Sequence, residues 1–442
     1  MKLPVTPPPM EDILSTLHWQ DNSRLMAEGQ KMLATGKYPH WDHLIHLTPP
    51  KGMSLRQWWY GIKLVRASAS RDIPLWDVQG NSFHFVVTES ILEQLHYIDL
   101  AAGGRPGFPE RMISPDAKNE YSVSSLFEEA LTSSQLEGAA TTREVAKDMI
   151  RTARPPVDRS ERMFLNNYRT MQEIGELKNQ PLTKDLILGL HRLVTDGTLE
   201  DPSAAGRFRR DDESIIVQDA EGNIHHTPPP ANQLETRMTS MLDFANAKSP
   251  EGFVHPVLRA IMLHFWVAHD HPFVDGNGRT ARALFYWAML HSGYWLCEYL
   301  SISRILLKAR IRYSRAFLYT ESDGGDLTYF NLYHLEVLRR ALDDLGLSIE
   351  IKLARKKALE ERFQGMASLN SRQRAILGHA FRHPKYRYTI AGHQVSHHIA
   401  YQTARTDLLG LEKRELMKVE KIGAVLYFTP LPNLEALLEA PL

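Results

Sequence analysis

One periodicity restricts the fold more than any other feature of this chain. Across residues 122–338 apolar side chains recur at three- and four-residue steps in SSLFEEALTSSQLEG, ERMFLNNYRTMQEIGEL, TKDLILGLHRLVTDG, NQLETRMTSMLDFANA, PVLRAIMLHFWVAH and RTARALFYWAMLHSGY, and several of these segments end at glycine. Such spacing puts an apolar stripe on one side of an α-helix, and successive helices bury their stripes on one another. The predicted class is mainly α, built around a helical bundle. One stretch breaks the period: SIIVQDAEGNIHHT (214–227) sets β-branched residues on either side of AEGN, which predicts a β-hairpin inserted between helices.

The flanks differ from the bundle. Residues 4–9 are proline-rich and predicted to be extended or mobile, and the fold of 1–110 is left open beyond a strand-like SFHFVVT at 82–88. Trp58, Trp59 and Tyr60 read either as a binding surface or, more in keeping with aromatic clusters, as core. The bundle is assigned to 111–345. A charged helix at about 347–365 then serves as a linker over 346–368. Three helical segments and two strand-like runs around a glycine follow, which predicts a winged helix-turn-helix at 369–430.

The 52 basic residues balance the 52 acidic ones, so the chain has no global field to draw in nucleic acid or an anionic membrane. Between 371 and 427, however, ten Lys/Arg face four Asp/Glu. In the candidate recognition helix YQTARTDLLGLEKREL, the side chains of Gln402, Thr403, Arg405 and Thr406 are placed to meet DNA or a protein partner. Cys297 is the only cysteine, which excludes an intramolecular disulfide and reads as a small buried hydrophobe. No apolar run approaches the roughly 20 residues of a membrane span and no signal-like apolar stretch opens the chain, so a cytoplasmic location is expected.

The chemistry is concentrated in HPFVDGNGRTAR, residues 271–282. Gly276 and Gly278 allow a turn that exposes backbone amides, and the following helix starts there, so amides and the positive helix end form a phosphate cradle. Arg279 and Arg282 share a helix face and can each hold a phosphate oxygen. Asp275, next to the cradle, can hold a Mg2+ ion that bridges phosphates, and His271 can accept a proton from an attacking hydroxyl. Base, metal ligand, anion hole and cationic clamp together describe transfer of a phosphorus-centred group. The plain reading of each residue alone, as a helix stop or a solvated charge, does not account for all of them in twelve positions. His269 and Asp270 beside His271 lack the i, i+4 histidine spacing of zinc sites.

These residues resemble the signature of the Fic family, His-x-Phe-x-(Asp/Glu)-Gly-Asn-Gly-Arg-x-x-Arg, at every specified position, and the resemblance extends over about 122–338. It implies AMP transfer from ATP to a Tyr, Thr or Ser hydroxyl of a target protein or of the chain itself, with pyrophosphate leaving. His271 is then the base and Asp275 the Mg2+ ligand. Asn277, with the amides of Gly276 and Gly278, takes the α- and β-phosphates, Arg279 the β-phosphate and Arg282 the γ-phosphate. Phe273 packs the loop on the bundle. Tyr313 matches a family tyrosine near the adenine, whereas the asparagine expected eight residues later is Glu321, so the base of the nucleotide is less determined than its phosphates.

Upstream, SSQLEG is similar to the family's inhibitory pattern (Ser/Thr)-x-x-x-Glu-(Gly/Asn), with Ser133, Glu137 and Gly138 in the specified places at the end of a helix spanning about 122–138. By that resemblance Glu137 pairs with Arg282 and excludes the γ-phosphate. The plain alternative is a solvated Glu before a helix-ending glycine. In some relatives the same glutamate positions a water that removes AMP, which stays open here. AGRFRR (205–210) resembles the segment leading to the family's flap, so the 214–227 hairpin is expected to present a target segment by strand addition, or else to be an ordinary surface hairpin. A homodimer is implied by resemblance alone. The competing class is a DNA-binding regulator whose Fic module senses nucleotide without catalysis. A sensor needs no base, and His271 therefore favours the enzyme.

Overall fold

Several helices start where the sequence supplies an acceptor for their free amides. In the computed structural model Ser54, Thr88, Thr142, Asp158 and Thr183 each cap a helix through a side-chain oxygen. The structure describes residues 3–15, 22–103, 115–213, 215–218, 222, 224–248, 252–365, 369–383 and 386–431. The chain divides into two units, Met1–Leu345 and Gly346–Leu442.

In the first unit α1 (Met10–Leu14), α2 (Asn22–Ala34), α3 (Trp41–Leu44) and α4 (Leu55–Ser68) lead to an antiparallel pair, β1 (Ser70–Trp76) and β2 (Ser82–Val86), and then α5 (Glu89–Ala102). Next come α6 (Pro115–Leu136), α7 (Arg143–Thr152), α8 (Arg159–Leu177) and α9 (Lys184–Thr195). The inserted hairpin forms as β3 (Val217–Gln218) and β4 (Ile224–His226), paired antiparallel. Its turn residues 219–221 and 223 lie outside the described residues, as does the expected 110/111 boundary. The unit closes with α10 (Leu234–Ala245), α11 (Pro256–Asp270), α12 (Asn277–His291), α13 (Ile302–Lys308), α14 (Arg310–Ser322) and the first half of α15 (Thr328–Gly365).

Helices α11 and α12 are buried on nearly every side, with Phe265, Trp266, Phe285 and Trp287 at 1% exposure or less, so they form the centre of the bundle. The loop that joins them and the first turns of α12 carry the 271–282 motif, which is thereby built on the most buried part of the fold.

The N-terminal region, left open by sequence, shares this core. Ile73, Leu75, Phe83, Phe85 and Ile91 belong to the same apolar cluster as Phe265 and Trp287. The edge of β2 is joined to the later chain, with the His84 amide donating to the Gly325 carbonyl at 3.1 Å and the Val86 amide to Thr328 Oγ1 at 2.9 Å. Trp58, Trp59 and Tyr60 are core, clustered with Ile13, Leu25 and Leu44. The described part of the proline-rich lead, residues 3–9, forms neither helix nor strand, and its Val5 amide donates to Asp42 at 2.8 Å.

The second unit holds α16 (Ser371–Arg382), β5 (Tyr388–Thr389), α17 (Ile390–His397), α18 (Tyr401–Lys413), β6 (Met417–Ile422) and β7 (Val425–Pro430), with sheet order β5-β7-β6. Three helices and the paired strands β6 and β7 are consistent with the winged helix-turn-helix expectation. Ile376, Leu377, Ile390, Leu408, Leu411 and Phe428 fill its core. Buried Asp407 ties the helices together, accepting from Asn370 at 2.7 Å and Arg372 Nε at 2.7 Å and bonding His393 Nε2 at 3.1 Å. The charged helix expected at 347–365 is the continuation of α15 rather than a separate element; 366–368 lie outside the described residues, as does Lys385. Among the described residues no helix is long and apolar enough to cross a membrane.

Candidate active site

The loop 271–276 is held from several directions. His271 caps α11 in the left-handed region, with φ +45°. Arg209, in the AGRFRR segment, donates through Nε to the His271 carbonyl at 2.9 Å and through Nη2 to the Pro229 carbonyl, while its own amide bonds the Pro272 carbonyl at 2.9 Å. Asp270 is anchored by Arg237 at 2.6 Å and Trp266 Nε1 at 3.0 Å. Phe273 is fully buried and stacks on His191 at 3.7 Å between ring centroids. Gly276 has φ +85°, and a Cβ there would lie 2.7 Å from Thr195 Cγ2, so glycine is required by both backbone and space.

His271 Nδ1 lies 3.1 Å from the Ala268 carbonyl, an acceptor only, so Nδ1 carries the hydrogen and Nε2 is the basic nitrogen. Burial dominates its electrostatics and lowers its pKa to about 4, against an upward pull from the Ala268 carbonyl. At neutral pH the ring is an uncharged base.

Asn277 is placed differently from the phosphate-binding expectation. Its side chain closes the loop on itself, donating to the Phe273 carbonyl at 2.7 Å and accepting from the Phe273 amide at 2.9 Å. The backbone amides of the first turn of α12, which have no acceptor one turn back, remain as the cradle. Glu137 sits against that cradle: a Cβ on Gly278 would collide with its carboxylate. The same carboxylate accepts from Arg282 Nη2 at 2.9 Å, and Arg282 also donates to Ser133 Oγ at 2.7 Å and the Ser133 carbonyl at 3.0 Å. Gly138, at φ +89°, turns the chain away directly after this contact. Arg282 is 2% exposed and Glu137 28%, so the pair is buried on the arginine side and reachable on the other. Burial works against the Arg282 charge, and Glu137, with Tyr313 and Glu129, together outweighs it, raising the guanidinium pKa.

Arg279 is 1% exposed and donates to the Val194 carbonyl at 2.9 Å, but its Nε and Nη2 are buried without a hydrogen-bond partner. Nη2 lies 3.6 Å from Asp275. Buried donors left over beside a ring of amides fit an anion that completes them. Asp275 is 38% exposed; its Oδ1 accepts the Gly276 amide at 2.6 Å and its Oδ2 is paired with Arg159 at 3.0 Å. Among the described residues no group of three or more His, Cys, Asp or Glu side chains is arranged to hold an ion. A single carboxylate at the cradle therefore fits a Mg2+ whose other ligands are phosphate oxygens and water. His269 is bonded through Nδ1 to Asp270 at 3.1 Å.

Beside the motif opens a cleft of about 420 Å³, lined by His271, Gly278 and Glu137 at one side and by Ile311, Tyr313, Phe317 and Leu318 at the other. Tyr313 borders it, its hydroxyl 2.9 Å from His264 Nε2. Glu321 reaches across to the hairpin and bonds His226 Nδ1 at 2.8 Å, while His226 Nε2 lies 2.6 Å from the His269 carbonyl. Two acceptors face the two ring nitrogens, so the ring is protonated. Burial lowers its pKa, and Glu321 and the carbonyl more than reverse this. The residue that replaces the expected asparagine is thus the anchor of the flap.

Sequence reading missed His191, Arg209, His226 and Arg159 as members of the site. His191 accepts the Gly206 amide on Nδ1 at 3.0 Å and donates from Nε2 to the Asp275 carbonyl at 2.9 Å, joining the flap segment to the loop. The resemblance of AGRFRR pointed at Arg209; nothing in the spacing of GLHRLVT distinguished His191 from a core histidine.

Residues 181–289, which include His191, Arg209, the hairpin and the whole motif, match the Fic/DOC family. Among curated relatives, the chain is 28% identical over 166 residues to protein adenylyltransferase Fic of Nematostella vectensis, covering 38% of this chain and 34% of that protein. With protein adenylyltransferase Fic of Aedes aegypti it shares 30% over 166 residues, 38% of this chain and 30% of that one. It therefore spans about a third of the length of these relatives. Among solved structures, a Fic family protein from Desulfovibrio desulfuricans G20 superposes with a TM-score of 0.54 at 19% identity, covering 78% of this chain and 97% of that one. A variant of Fic-1 from C. elegans superposes with 0.50 at 17% identity, over 78% and 92%. At these identities the structures speak for the fold. The motif, the matched segment and the bundle agree: over residues 181–289 the chain matches the Fic/DOC family and has its fold.

Proposed function

We propose that this protein transfers AMP from ATP to a hydroxyl of a target protein, and that Glu137 restrains the reaction. The observation that carries this reading is the state of His271: a neutral residue whose Nδ1–H is committed to Ala268, leaving Nε2 as the base, and which lines a cleft together with Gly278 of the amide cradle. In the proposed step the hydroxyl oxygen bonds to the α-phosphorus, its proton passes to His271 Nε2, and the bond from the α-phosphorus to the bridging oxygen breaks to release pyrophosphate. The cradle amides of α12 and Arg279 hold the phosphates. Asp275 would hold a Mg2+ ion that offsets the negative charge of the phosphate groups. Arg282 serves the γ-phosphate only when Glu137 has let go.

The names of the curated relatives support ATP as the nucleotide, and the apolar wall with Tyr313 suits a base. Glu321, tied to His226, holds the flap over the cleft where a target segment would add as a strand. Incubation with α-labelled ATP and Mg2+ tests the reading on the wild type, Glu137→Gly and His271→Ala. Label is expected on protein in the second and not in the third. No label in any of them refutes transfer, and label surviving in His271→Ala refutes the base.

In the second unit Tyr401, Gln402, Arg405 and Thr406 are exposed on α18, while the acidic residue of that stretch, Asp407, is buried. That face supports docking to DNA, with a protein partner as the alternative. A salt-dependent shift of duplex DNA, lost in Arg405→Ala, is the expected result.

A further inference from the structure

The carboxylate assigned to the divalent cation already has a cation on it. Arg159, the first residue of α8, points its Nη2 at Asp275 Oδ2 at 3.0 Å. Its Nε donates to the Thr198 carbonyl at 3.0 Å, so the guanidinium plane is set from the far side and not merely by the ion pair. Of the two Asp275 oxygens, Oδ1 is turned into the loop, where it accepts the Gly276 amide at 2.6 Å with Arg279 at 3.6 Å. Oδ2 is thus the oxygen with lone pairs open to the outside, and Arg159 takes it.

A Mg2+ or Mn2+ ion would have to lie about 2.0–2.1 Å from such an oxygen, in near-octahedral geometry and with several waters retained. A guanidinium nitrogen hydrogen-bonded to the same oxygen occupies the approach and adds like-charge repulsion at short range. The two cations therefore compete. Arg159 has somewhere to go. Its side chain lines a groove of about 520 Å³ together with Asp158, Arg162, Thr198 and Glu200, which gives it room to turn. Both partners reach solvent, with side-chain exposures of 61% for Arg159 and 38% for Asp275, so the exchange costs one exposed ion pair and the Thr198 contact and needs no unfolding.

We propose that Arg159 is an internal counter-cation for Asp275 that must swing away for a divalent cation to bind, so that this arginine sets the metal concentration at which the site loads. This rests on the reading of Asp275 as the metal ligand. Arg159 keeps the lone carboxylate neutralised between turnovers and raises the metal requirement without touching the nucleotide.

The test is metal binding, read without turnover. Free Mn2+ is counted by electron paramagnetic resonance in titrations of the full chain carrying Glu137→Gly and saturated with a non-hydrolysable ATP analogue. Arg159→Gln in that background is expected to lower the half-saturating Mn2+ concentration by about two- to fivefold, the size of one exposed ion pair. Arg162→Gln, which removes an equal charge that does not touch Asp275, is expected to leave it unchanged. A midpoint in Arg159→Gln equal to or higher than the parent overturns the proposal, and an equal drop in Arg162→Gln reduces it to a general field effect and overturns it too. Asp275→Asn separates the levels. If it loses the tight Mn2+ while Arg159→Gln shows no shift, only this proposal falls; if it binds Mn2+ like the parent, the metal reading of Asp275 falls with it.

Discussion

Replacing Glu137 by glycine removes the carboxylate that, among the described residues, stands between the cradle and Arg282. The contact is a single charge-assisted hydrogen bond of 2.9 Å, for which about 1.5–3 kcal/mol is typical. Glu137 is 28% exposed, and solvent screening brings this down to about 1–2 kcal/mol. Released, that free energy becomes a gain of about 5- to 30-fold in the fraction of protein whose Arg282 is open to a γ-phosphate. Arg282 itself stays in place, since Ser133 still receives two of its hydrogen bonds, so the variant is expected to fold and to lose only about 1 kcal/mol of stability. The assay is the initial rate of labelled AMP incorporation at saturating Mg-ATP. Glu137→Gln sharpens it: the amide keeps the bulk against Gly278 but loses the charge, so its rate should fall between wild type and glycine. A glycine variant within twofold of wild type would refute the argument that the ion pair restrains transfer.

Three other outcomes follow from the geometry. In the Glu137→Gly background, kcat/KM should be flat from about pH 6 to 8 and fall only in more acid solution, because His271 must be neutral to act and burial lowers its pKa to about 4; an acid limb centred at 6.5 or above contradicts this. Arg209→Ala removes the clamp on the His271 and Pro229 carbonyls, and kcat is expected to drop about tenfold or more with less change in KM; an unchanged kcat would show the clamp to be idle. Asp407→Ala leaves Arg372, Asn370 and His393 without their shared acceptor and should destabilise the second unit by about 3 kcal/mol. Amide exchange over 371–430 in the full chain reads this, and protection equal to wild type would count against it.

Contacts set within one element were readable in advance, and contacts set between elements were not. The bundle, the inserted hairpin and the wing follow from periods of 3.6 and 2, and the cradle from two glycines at a helix start. The closeness of Glu137 to Arg282 was reached only through a pattern shared with a family. Asn277 shows the other side: its type and place suggested phosphate binding, yet its side chain is engaged with Phe273 four residues back. A buried amide takes the nearest acceptors, and a tight turn brings its own backbone nearest.

By itself the sequence determined that His271, Asp275, Arg279 and Arg282 gather around a glycine turn that opens a helix, because this depends on neighbours a few positions apart. The tertiary structure decided what surrounds them. Arg159 meets Asp275 across 116 positions, Glu321 meets His226 across 95, and His191 braces the loop across 84. No periodicity reports such pairs; they arise when burial of the apolar stripes brings distant polar groups to the same edge of the core, where each must find a partner.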